Sequence, residues 1–353
     1  GVISGVRYAG EMKSMVFSIM NFILPMKGIL TMKCAANVGA AGDTTLFFGL
    51  NGTGKTSLSA DPTRFLIGDD EHGWDEEGVF NLEGGCYANV VDLDPEKEPL
   101  IYSAIRMDAI LEHGAMDDGI GVGNLMDRSC TENARLSFPM WHMPNHEPTG
   151  VAGHPTSIIL LTCDAYGVLP LVSKLTTSQA LYHLVSGYSS KASDGAELGE
   201  PTTSFSPFFG GSSMSLTARG LASLFQKKMV RHNVNVYLIN TGRTGQEDKR
   251  VDIDVTREIV AAVLDGSIEE AAFSKPDPHF QFRSPVQLPG IDNNLLDAKR
   301  AWRDHDAYKS SCQKLAALFR ENFMKYESDP FMAALASHGP GGDTSPQPET
   351  LLT

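Results

Sequence analysis

The fold of this chain is decided by the stretch Gly49-Leu50-Asn51-Gly52-Thr53-Gly54-Lys55-Thr56. The stretch matches the pattern G-x-x-x-x-G-K-[ST], in which glycines let the backbone curl so that successive N–H groups point at phosphate oxygens. The preceding run Thr44–Phe48 predicts the strand that this pattern requires. The sequence therefore predicts a phosphate-binding loop that follows a strand.

The last two residues of the loop suit a nucleotide. In a P-loop, Lys55 would reach the terminal phosphates and the Thr56 hydroxyl would hold the accompanying Mg²⁺. Asp61-Pro62 follows closely, so any helix after Thr56 must be very short, because proline breaks it. The alternative is a chance match in a glycine-rich turn, which the strand context and the full pattern disfavour.

The composition limits the possible functions. The 353 residues are 42% hydrophobic and 20% charged, as in ordinary globular proteins, and they carry a net charge of −14. That charge argues against a role in coating nucleic acid, which needs a basic face. The five cysteines are scattered and lack C-x-x-C spacing, which favours reduced thiols in an intracellular compartment, either the cytoplasm or an organelle matrix such as the mitochondrial one.

The apolar segment from Met15 to Leu24 is too short to cross a membrane. It is interrupted by Ser18 and Asn21 and is followed by Pro25. The segment predicts a buried helix, and we expect no secretory signal. We therefore expect no membrane span.

The predicted strands and helices follow one another irregularly. Apolar patterns predict strands at 65–68, 157–162 and 234–240, and helices at 216–232, 256–264 and 306–326. Because no regular βαβ order emerges, we expect a large mixed α/β domain rather than a doubly wound sheet.

Two acidic residues follow the strand predicted at 65–68. Asp69 and Asp70 come where an apolar strand ends, shortly after the loop, and nucleotide enzymes use this arrangement to bind a metal ion. A solvated acidic turn is the alternative, but the nearby loop favours metal binding.

Seven motifs, taken together, are typical of one family. They are Gly49–Thr56, Leu66-Ile67-Gly68-Asp69-Asp70-Glu71-His72-Gly73-Trp74, Glu83-Gly84-Gly85-Cys86-Tyr87, Tyr8-Ala9-Gly10-Glu11-Met12-Lys13, Thr131-Glu132-Asn133-Ala134-Arg135, Gly167-Val168-Leu169-Pro170 and Asn240-Thr241-Gly242. From about Tyr8 to about Pro340 the chain resembles ATP-dependent phosphoenolpyruvate carboxykinase. The resemblance implies the mixed α/β, P-loop-containing C-terminal domain of that family. It also implies decarboxylation of oxaloacetate and phosphorylation of the enolate by ATP, with Mg²⁺ on the nucleotide and a second ion, usually Mn²⁺.

The resemblance implies roles for individual residues. Those that would bind the phosphates of ATP are Gly49, Asn51, Gly52, Thr53, Gly54, Lys55 and Thr56. Thr56, Asp69 and Asp70 would bind metal. Arg250 and Thr256 fall where the family contacts adenine, while Lys55 and Arg135 stand where cations act on the transferring phosphoryl group.

The chain departs from the family at four positions in this site. The family has a Mn²⁺-binding lysine where Ser14 stands, and a metal-binding histidine where Lys33 stands. Asn51 replaces a serine of the loop, and Asn89 replaces a lysine that contacts phosphate. We therefore expect a weak Mg-ATP site and a lost Mn²⁺ site, in which Lys33 pairs with Asp70 instead.

Lys13 precedes the position of the missing lysine. Neighbouring residues point to different faces of a helix or strand, so we expect Lys13 to be misaimed for that role. For Lys33, the alternative to an ion pair is a side chain that extends into solvent.

The expected organisation has three segments. Residues 1–33 are a remnant of the N-terminal domain and its connection, 34–337 form the P-loop domain, and 338–353 form a disordered tail rich in small and polar residues. Most of the N-terminal domain, which supplies an arginine to oxaloacetate in the family, is missing from the sequence.

These departures predict a catalytically degenerate relative. It would serve as a structural or nucleotide-binding subunit, with other protein subunits covering the face that the missing domain leaves. One alternative is an active carboxykinase completed by a separate N-terminal chain. The other is a phosphoryl-transfer enzyme that uses a different acceptor.

Overall fold

The computed structural model describes residues 1–6, 8–91, 93–113, 115–116, 123–124, 133–191, 201–245 and 250–341. The chain divides into two compact units. Unit 1 comprises Gly1–Thr44, Thr56–His154 and Ser213–Ser215, and unit 2 comprises Thr45–Lys55, Pro155–Ser212 and Leu216–Thr353. The segments predicted at 1–33, 34–337 and 338–353 stay predictions, and residues 342–353 of the predicted tail lie outside the described residues.

Helices and strands are mixed along the chain, as the sequence predicts. The helices are α1 (Gly10–Ile23), α2 (Lys55–Ser59), α3 (Pro99–Ser103), α4 (Thr177–Ser186), α5 (Ala218–Arg231), α6 (Ile253–Leu264), α7 (Asn293–Leu296), α8 (His305–Met324) and α9 (Pro330–Ala336). The strands are β1 (Leu30–Val38), β2 (Thr44–Phe48), β3 (Phe65–Gly68), β4 (Glu71–Trp74), β5 (Val79–Asn81), β6 (Gly85–Asn89), β7 (Ile110–Glu112), β8 (Ala115–Met116), β9 (Gly123–Asn124), β10 (Arg135–Pro139), β11 (Val151–Ala152), β12 (Pro155–Thr162), β13 (Val172–Leu175), β14 (Tyr188–Lys191), β15 (Thr202–Phe205) and β16 (Asn235–Asn240).

Unit 1 is built on antiparallel strands. The strands β11, β5, β4 and β1 lie side by side in that order, and β3 pairs with β1 as well. Residues of β1 are buried along its length except for Lys33, which is half-buried. Lys33 lies directly opposite Glu71 of β4 in the antiparallel register. This register brings a cation and a carboxylate together, because directly opposed residues project from the same face of a sheet.

A second sheet of unit 1 carries another predicted site residue. Its strands follow the order β6, β10, β7, and the register places Arg135 opposite Asn89. Beneath this sheet lies an apolar core to which Leu136, Phe138 and Ile101 contribute. Packed strands of this kind hold the backbone of Arg135 in place.

The segment Met15–Leu24 is part of a helix, as predicted, but the prediction that this helix is buried is wrong. Only Phe17 and Asn21 of α1 are buried, whereas Val16 and Phe22 are exposed. Apolar residues occur around most of the helix circumference, so a single packed face cannot cover them all.

Unit 2 contains the remaining long strands and the longer helices. Its strands lie in the order β2, β12, β16, β13, with β12 and β16 parallel and β13 antiparallel to β16. Fully buried apolar residues make up most of β12, which suits a central strand. Together with the antiparallel strands of unit 1, this pattern is the mixed α/β class that the sequence predicts.

None of the helices in the described part of the chain combines the length and the apolar character that a membrane span needs.

Candidate nucleotide and cation site

Glycine conformations shape the loop that follows β2 in unit 2. Gly52 and Gly54 have φ angles of +86° and +90°, which side chains with a Cβ rarely adopt. A Cβ at Gly49 would collide with the Thr53 hydroxyl and lie 3.1 Å from Leu161 Cβ. The Thr53 side chain is buried, and its hydroxyl donates to the Leu50 carbonyl at 2.8 Å. The glycines of the pattern are therefore required by the backbone itself.

Arg250 fixes this loop from within unit 2. Its Nη2 donates to the Gly52 carbonyl at 2.7 Å, and its Nε donates to the Thr241 carbonyl at 2.8 Å. Hydrogen bonds from a charged guanidinium are stronger than neutral ones. Arg250 thus ties the tip of the loop to the turn that follows β16, a bracing role that sequence reasoning did not assign to it.

Thr256 lies in α6, with little contact with solvent. Its side chain is buried and its hydroxyl donates to the Asp252 carbonyl, 3.3 Å away, at the start of the same helix. The adenine contacts predicted for Arg250 and Thr256 stay predictions.

Lys55 and Thr56 begin α2, which ends at Ser59. The helix is as short as Asp61-Pro62 predicted. Both side chains are half-buried, and Asn51 at the tip of the loop is exposed. The roles predicted for these residues with phosphate and Mg²⁺ stay predictions.

Five charged residues meet in unit 1 to form what we call the lysine–carboxylate cluster: Lys13, Lys33, Asp70, Glu71 and Glu83. The Asp70 Oδ2 atom lies 2.6 Å from Lys13 Nζ and 3.2 Å from Lys33 Nζ. Lys13 Nζ also lies 2.9 Å from Glu83 Oε1, and both ammonium groups lie within 4 Å of Glu71 Oε1, at 3.7 and 3.8 Å. Asp70 thus contacts two cations from two different elements, α1 and β1.

The ion pair predicted between Lys33 and Asp70 is present. The prediction that Lys13 would be misaimed is wrong, since its ammonium makes the shortest contact with Asp70. Lys13 lies in the first turn of α1, and its flexible four-carbon stem spans the offset that one residue of rotation introduces. A sequence pattern gives the face of a helix but not the reach of a long side chain.

Mutual charge controls protonation in the lysine–carboxylate cluster. Burial opposes the charge on Lys13, but the carboxylates of Asp70, Glu83 and Glu71 outweigh burial and hold its pKa well above the usual value. Burial, helped by the charges of Asp70 and Glu71, raises the pKa of Glu83 to about 8 against the opposing effect of Lys13. Lys13 is consequently a cation at neutral pH and has no lone pair to offer a metal ion.

Asp69 is buried beside Asp70 at the end of β3, with 3% of its surface exposed. Desolvation and the nearby charges of Asp69 and Glu83 raise the pKa of the buried Cys86 thiol. Within the described residues, no group of three or more His, Cys, Asp and Glu side chains has an arrangement that could hold a metal ion.

Arg135 lies over an aromatic ring in unit 1. Its guanidinium carbon lies 5.7 Å from the centre of the Tyr87 ring, and its Nε donates to Asn133 Oδ1 at 2.8 Å. The Tyr87 hydroxyl donates to the Glu112 carboxylate, and burial together with that bond raises the pKa of Tyr87 to about 12. A pocket of about 350 Å³ in unit 1 is lined by Lys13, Glu83 and Tyr87, among others.

Sequence reasoning singled out the motif Glu83-Gly84-Gly85-Cys86-Tyr87 but gave no role to Glu83 or Tyr87. The motif was the available signal, because glycines beside charged and aromatic residues indicate a close approach to a ligand. Glu112 had no comparable signal, since its contact with Tyr87 depends on the pairing of β10 with both β6 and β7.

The fold is that of a mixed α/β protein, with a glycine loop after a strand in unit 2 and a charged cluster at a strand end in unit 1. The family model described as phosphoenolpyruvate carboxykinase, in its ATP-dependent form, matches residues 1–294. The chain belongs to the phosphoenolpyruvate carboxykinase family.

Named relatives support the same assignment. The chain is 49% identical over 330 residues to phosphoenolpyruvate carboxykinase (ATP) of Leptospira biflexa, a match covering 92% of this chain and 62% of the relative. For the enzyme of the same name from Campylobacter lari the identity is 50% over 331 residues, covering 92% and 63%. For that of Pelobacter propionicus it is 47% over 340 residues, covering 94% and 63%. The chain thus spans just under two thirds of the length of these relatives.

The prediction of a catalytically degenerate subunit is wrong. Relatives about half identical over 92% of the chain carry the name of the ATP-dependent carboxykinase, and none of these names indicates a structural subunit. Substitutions at Ser14, Lys33, Asn51 and Asn89 change individual contacts, but loss of function does not follow from them, because a site can meet the same charge requirement with other groups. The names give no support to partner subunits either.

Proposed function

We propose that this chain takes part in the reaction of ATP-dependent phosphoenolpyruvate carboxykinase, in which oxaloacetate and ATP give phosphoenolpyruvate, CO₂ and ADP. The observation that carries the proposal is the 49% identity to a carboxykinase of that name across 92% of this chain. The loop of unit 2 supports it, because its glycine conformations leave the backbone free to approach phosphate oxygens. From the sequence, an active carboxykinase completed by a separate N-terminal chain was the alternative to a degenerate subunit.

The proposed reaction has two bond exchanges. The bond between the CH₂ carbon of oxaloacetate and the carboxylate carbon that lies β to the ketone breaks, and CO₂ leaves. The electron pair of that bond forms the enolate. The enolate oxygen then bonds to the γ-phosphorus of ATP while the bond to the β-phosphate oxygen breaks, and ADP leaves. Positioning and charge stabilisation account for most of the catalysis of such transfers.

The loop and its neighbours would bind the nucleotide. Backbone N–H groups between Gly49 and Lys55 would cradle the phosphates, with Lys55 contributing a cation. Arg250 supports this role indirectly, because it holds the Gly52 carbonyl and so limits how far the loop tip can open. The adenine would lie near Arg250 and Thr256.

Mg²⁺ fits the oxygen ligands available here. The Thr56 hydroxyl and the Asp69 carboxylate are hard oxygen donors of the kind that Mg²⁺ prefers. When bound, the ion would neutralise charge on the phosphates. We therefore propose ATP with Mg²⁺ as the nucleotide, while the predicted loss of the Mn²⁺ site stays a proposal that the contacts of Lys13 and Lys33 with Asp70 support.

Arg135 would act on the substrate or on the phosphoryl group in transfer. Its contact with the Tyr87 ring and its hydrogen bond to Asn133 restrain the guanidinium, and a positioned cation stabilises developing negative charge with little reorganisation.

The test begins with nucleotide binding. Mg-ATP at about 100 times its Kd should stabilise the wild-type chain by roughly 2.7 kcal/mol, measured as a thermal shift. Lys55→Ala should abolish the shift and lower carboxykinase turnover on the order of 10²- to 10³-fold, because one preorganised charge contact is lost. Lys227→Ala, on the exposed side of α5, is the matched control and should change neither quantity.

Two results would count against the proposal. A thermal shift that survives Lys55→Ala would mean that ATP binds elsewhere. Saturable ATP binding without formation of phosphoenolpyruvate, with oxaloacetate supplied and the protein tested at its full natural length, would remove the carboxykinase activity from the proposal.

A further inference from the structure

In the lysine–carboxylate cluster, the cations that neutralise the carboxylates are side chains of the protein itself, Lys13 and Lys33. Asp70, which follows β3, is in contact with the Nζ atoms of both Lys13 and Lys33, at 2.6 and 3.2 Å. We infer that these two fixed ammonium groups take the place of a divalent cation at Asp70, so that the chain uses the nucleotide-bound Mg²⁺ without a second metal ion. This inference rests on the proposed function for its catalytic consequence only.

Both ammonium groups are held by the fold rather than by chance side-chain positions. Lys33 lies opposite Glu71 in the register of β1 and β4, so its stem leaves the sheet beside that carboxylate. Lys13 enters from α1 and bridges Asp70 and Glu83. Their side chains are 20% and 25% exposed, which leaves little room for either to swing into solvent.

A divalent cation at Asp70 would meet two unfavourable conditions. It would stand close to two positive charges in a partly buried setting, where repulsion is screened less than in water. It would also gain no ligand from Lys13 or Lys33, because an ammonium group has no lone pair, and the carboxylate oxygens around it are already engaged by these two cations. The donor set of the cluster therefore does not fit a divalent metal ion.

The same contacts suit a different task. Lys13 and Tyr87 line a pocket of about 350 Å³ together with Glu71 and Glu83. The two ammonium groups would hold the carboxylates of the cluster neutralised without metal loading. Carboxykinase turnover of this chain would then be insensitive to added Mn²⁺.

The test is a Mn²⁺ titration of the nucleotide-free protein, followed by electron paramagnetic resonance of the free ion. Wild type and Asp70→Asn should bind Mn²⁺ alike, because Asp70 holds no metal in the wild type. Lys33→His removes a charge and adds a ligand nitrogen, so it should raise the affinity for Mn²⁺ roughly 10- to 100-fold. Adding Asp70→Asn to Lys33→His should abolish the gain.

A matched variant separates charge from ligation. Lys33→Met keeps the length of the side chain and removes the charge without supplying a ligand, so its gain in Mn²⁺ affinity should be smaller than that of Lys33→His. Thermal unfolding of each variant verifies that it is folded before titration. Wild-type Mn²⁺ binding that Asp70→Asn abolishes would overturn the inference, and so would a Lys33→His protein that binds no more tightly than wild type.

A second readout addresses catalysis. At saturating Mg-ATP, added Mn²⁺ should leave the turnover of wild type unchanged and alter that of Lys33→His. Strong stimulation of the wild type would overturn the inference. A chain without any carboxykinase turnover would contradict the proposed function alone, because the Mn²⁺ titration would still decide what occupies the cluster.

Discussion

His183 is a buried base that lies among aromatic rings, with 4% of its surface exposed. It lies in α4 with its ring centre 5.2 Å from that of Phe282 and 5.4 Å from that of Phe319. Burial lowers its pKa to about 3. The unfolded chain, with a histidine pKa near 6.5, therefore binds a proton at pH values where the folded chain does not.

Stability should fall as the pH drops from about 6.5 towards 3. Between pH 7 and pH 5, His183 should account for a loss of about 2 kcal/mol in the free energy of unfolding. In His183→Phe that contribution should vanish, so urea unfolding should show a shallower pH dependence for the variant than for wild type. Parallel loss of stability in the two proteins would mean that His183 takes up its proton without unfolding.

At the level of single residues, the sequence predicted one of the two lysine contacts of Asp70 and missed the other. The pairing of Lys33 with Asp70 followed from a cation standing where the family has a metal ligand, and the structure contains it. The contact of Lys13 with Asp70 did not follow, because it depends on how close α1 lies to the end of β3 and on the length of a lysine stem. The sequence gives the charge of each side chain, but the distance between two charged groups depends on how the elements pack.

The start of α4 shows what one cap contributes to an element. Thr176 accepts from the Gln179 N–H at 3.3 Å, and Gln179 Oε1 accepts from the Thr176 N–H at 3.0 Å, which closes a capping box. The remainder of the helix is mostly buried, so its position depends on a defined first turn.

Thr176→Ala should lower the free energy of unfolding by about 1 kcal/mol, because the first-turn N–H loses its acceptor. Thr176 itself is exposed, so the substitution removes little buried apolar surface. Thr177→Ala, one residue further into the helix, is the control and should have a much smaller effect, since alanine is a better helix former. Equal losses for both variants in urea unfolding would contradict the capping role.

At the scale of elements, apolar periodicity predicted which helices and strands form, but not how they pack against one another. The strand Thr44–Phe48 and the long helix α8 agree with their apolar patterns, and the short helix after Lys55 agrees with the limit that Asp61-Pro62 sets. The burial of α1 was mispredicted, because an apolar sequence indicates a helix but not what lies against it. The pairing of β10 with β6, which sets Arg135 opposite Asn89, joins residues too far apart in sequence for any local pattern to reveal.

At the scale of the whole molecule, nucleotide binding to the loop should reduce how often other parts of unit 2 open. Cys312 lies in α8 with no exposed surface, and burial raises the pKa of its thiol to about 12. Alkylation of this thiol at pH 8 therefore needs an opening of the unit, and its rate measures how often that opening occurs.

Mg-ATP at about 100 times its Kd should slow the alkylation of Cys312 roughly 100-fold, because a ligand that binds only the closed form reduces the open population by that factor. Pulse labelling with mass spectrometry gives the rate at this residue, and Lys55→Ala should show no protection at the same ATP concentration. If Cys312 is alkylated equally fast with ATP bound to the wild type, then α8 opens locally, without disturbing the loop. Protection in the wild type and its absence in Lys55→Ala would instead show that the loop and the core of unit 2 open as one cooperative structure, and that nucleotide binding stabilises the unit as a whole.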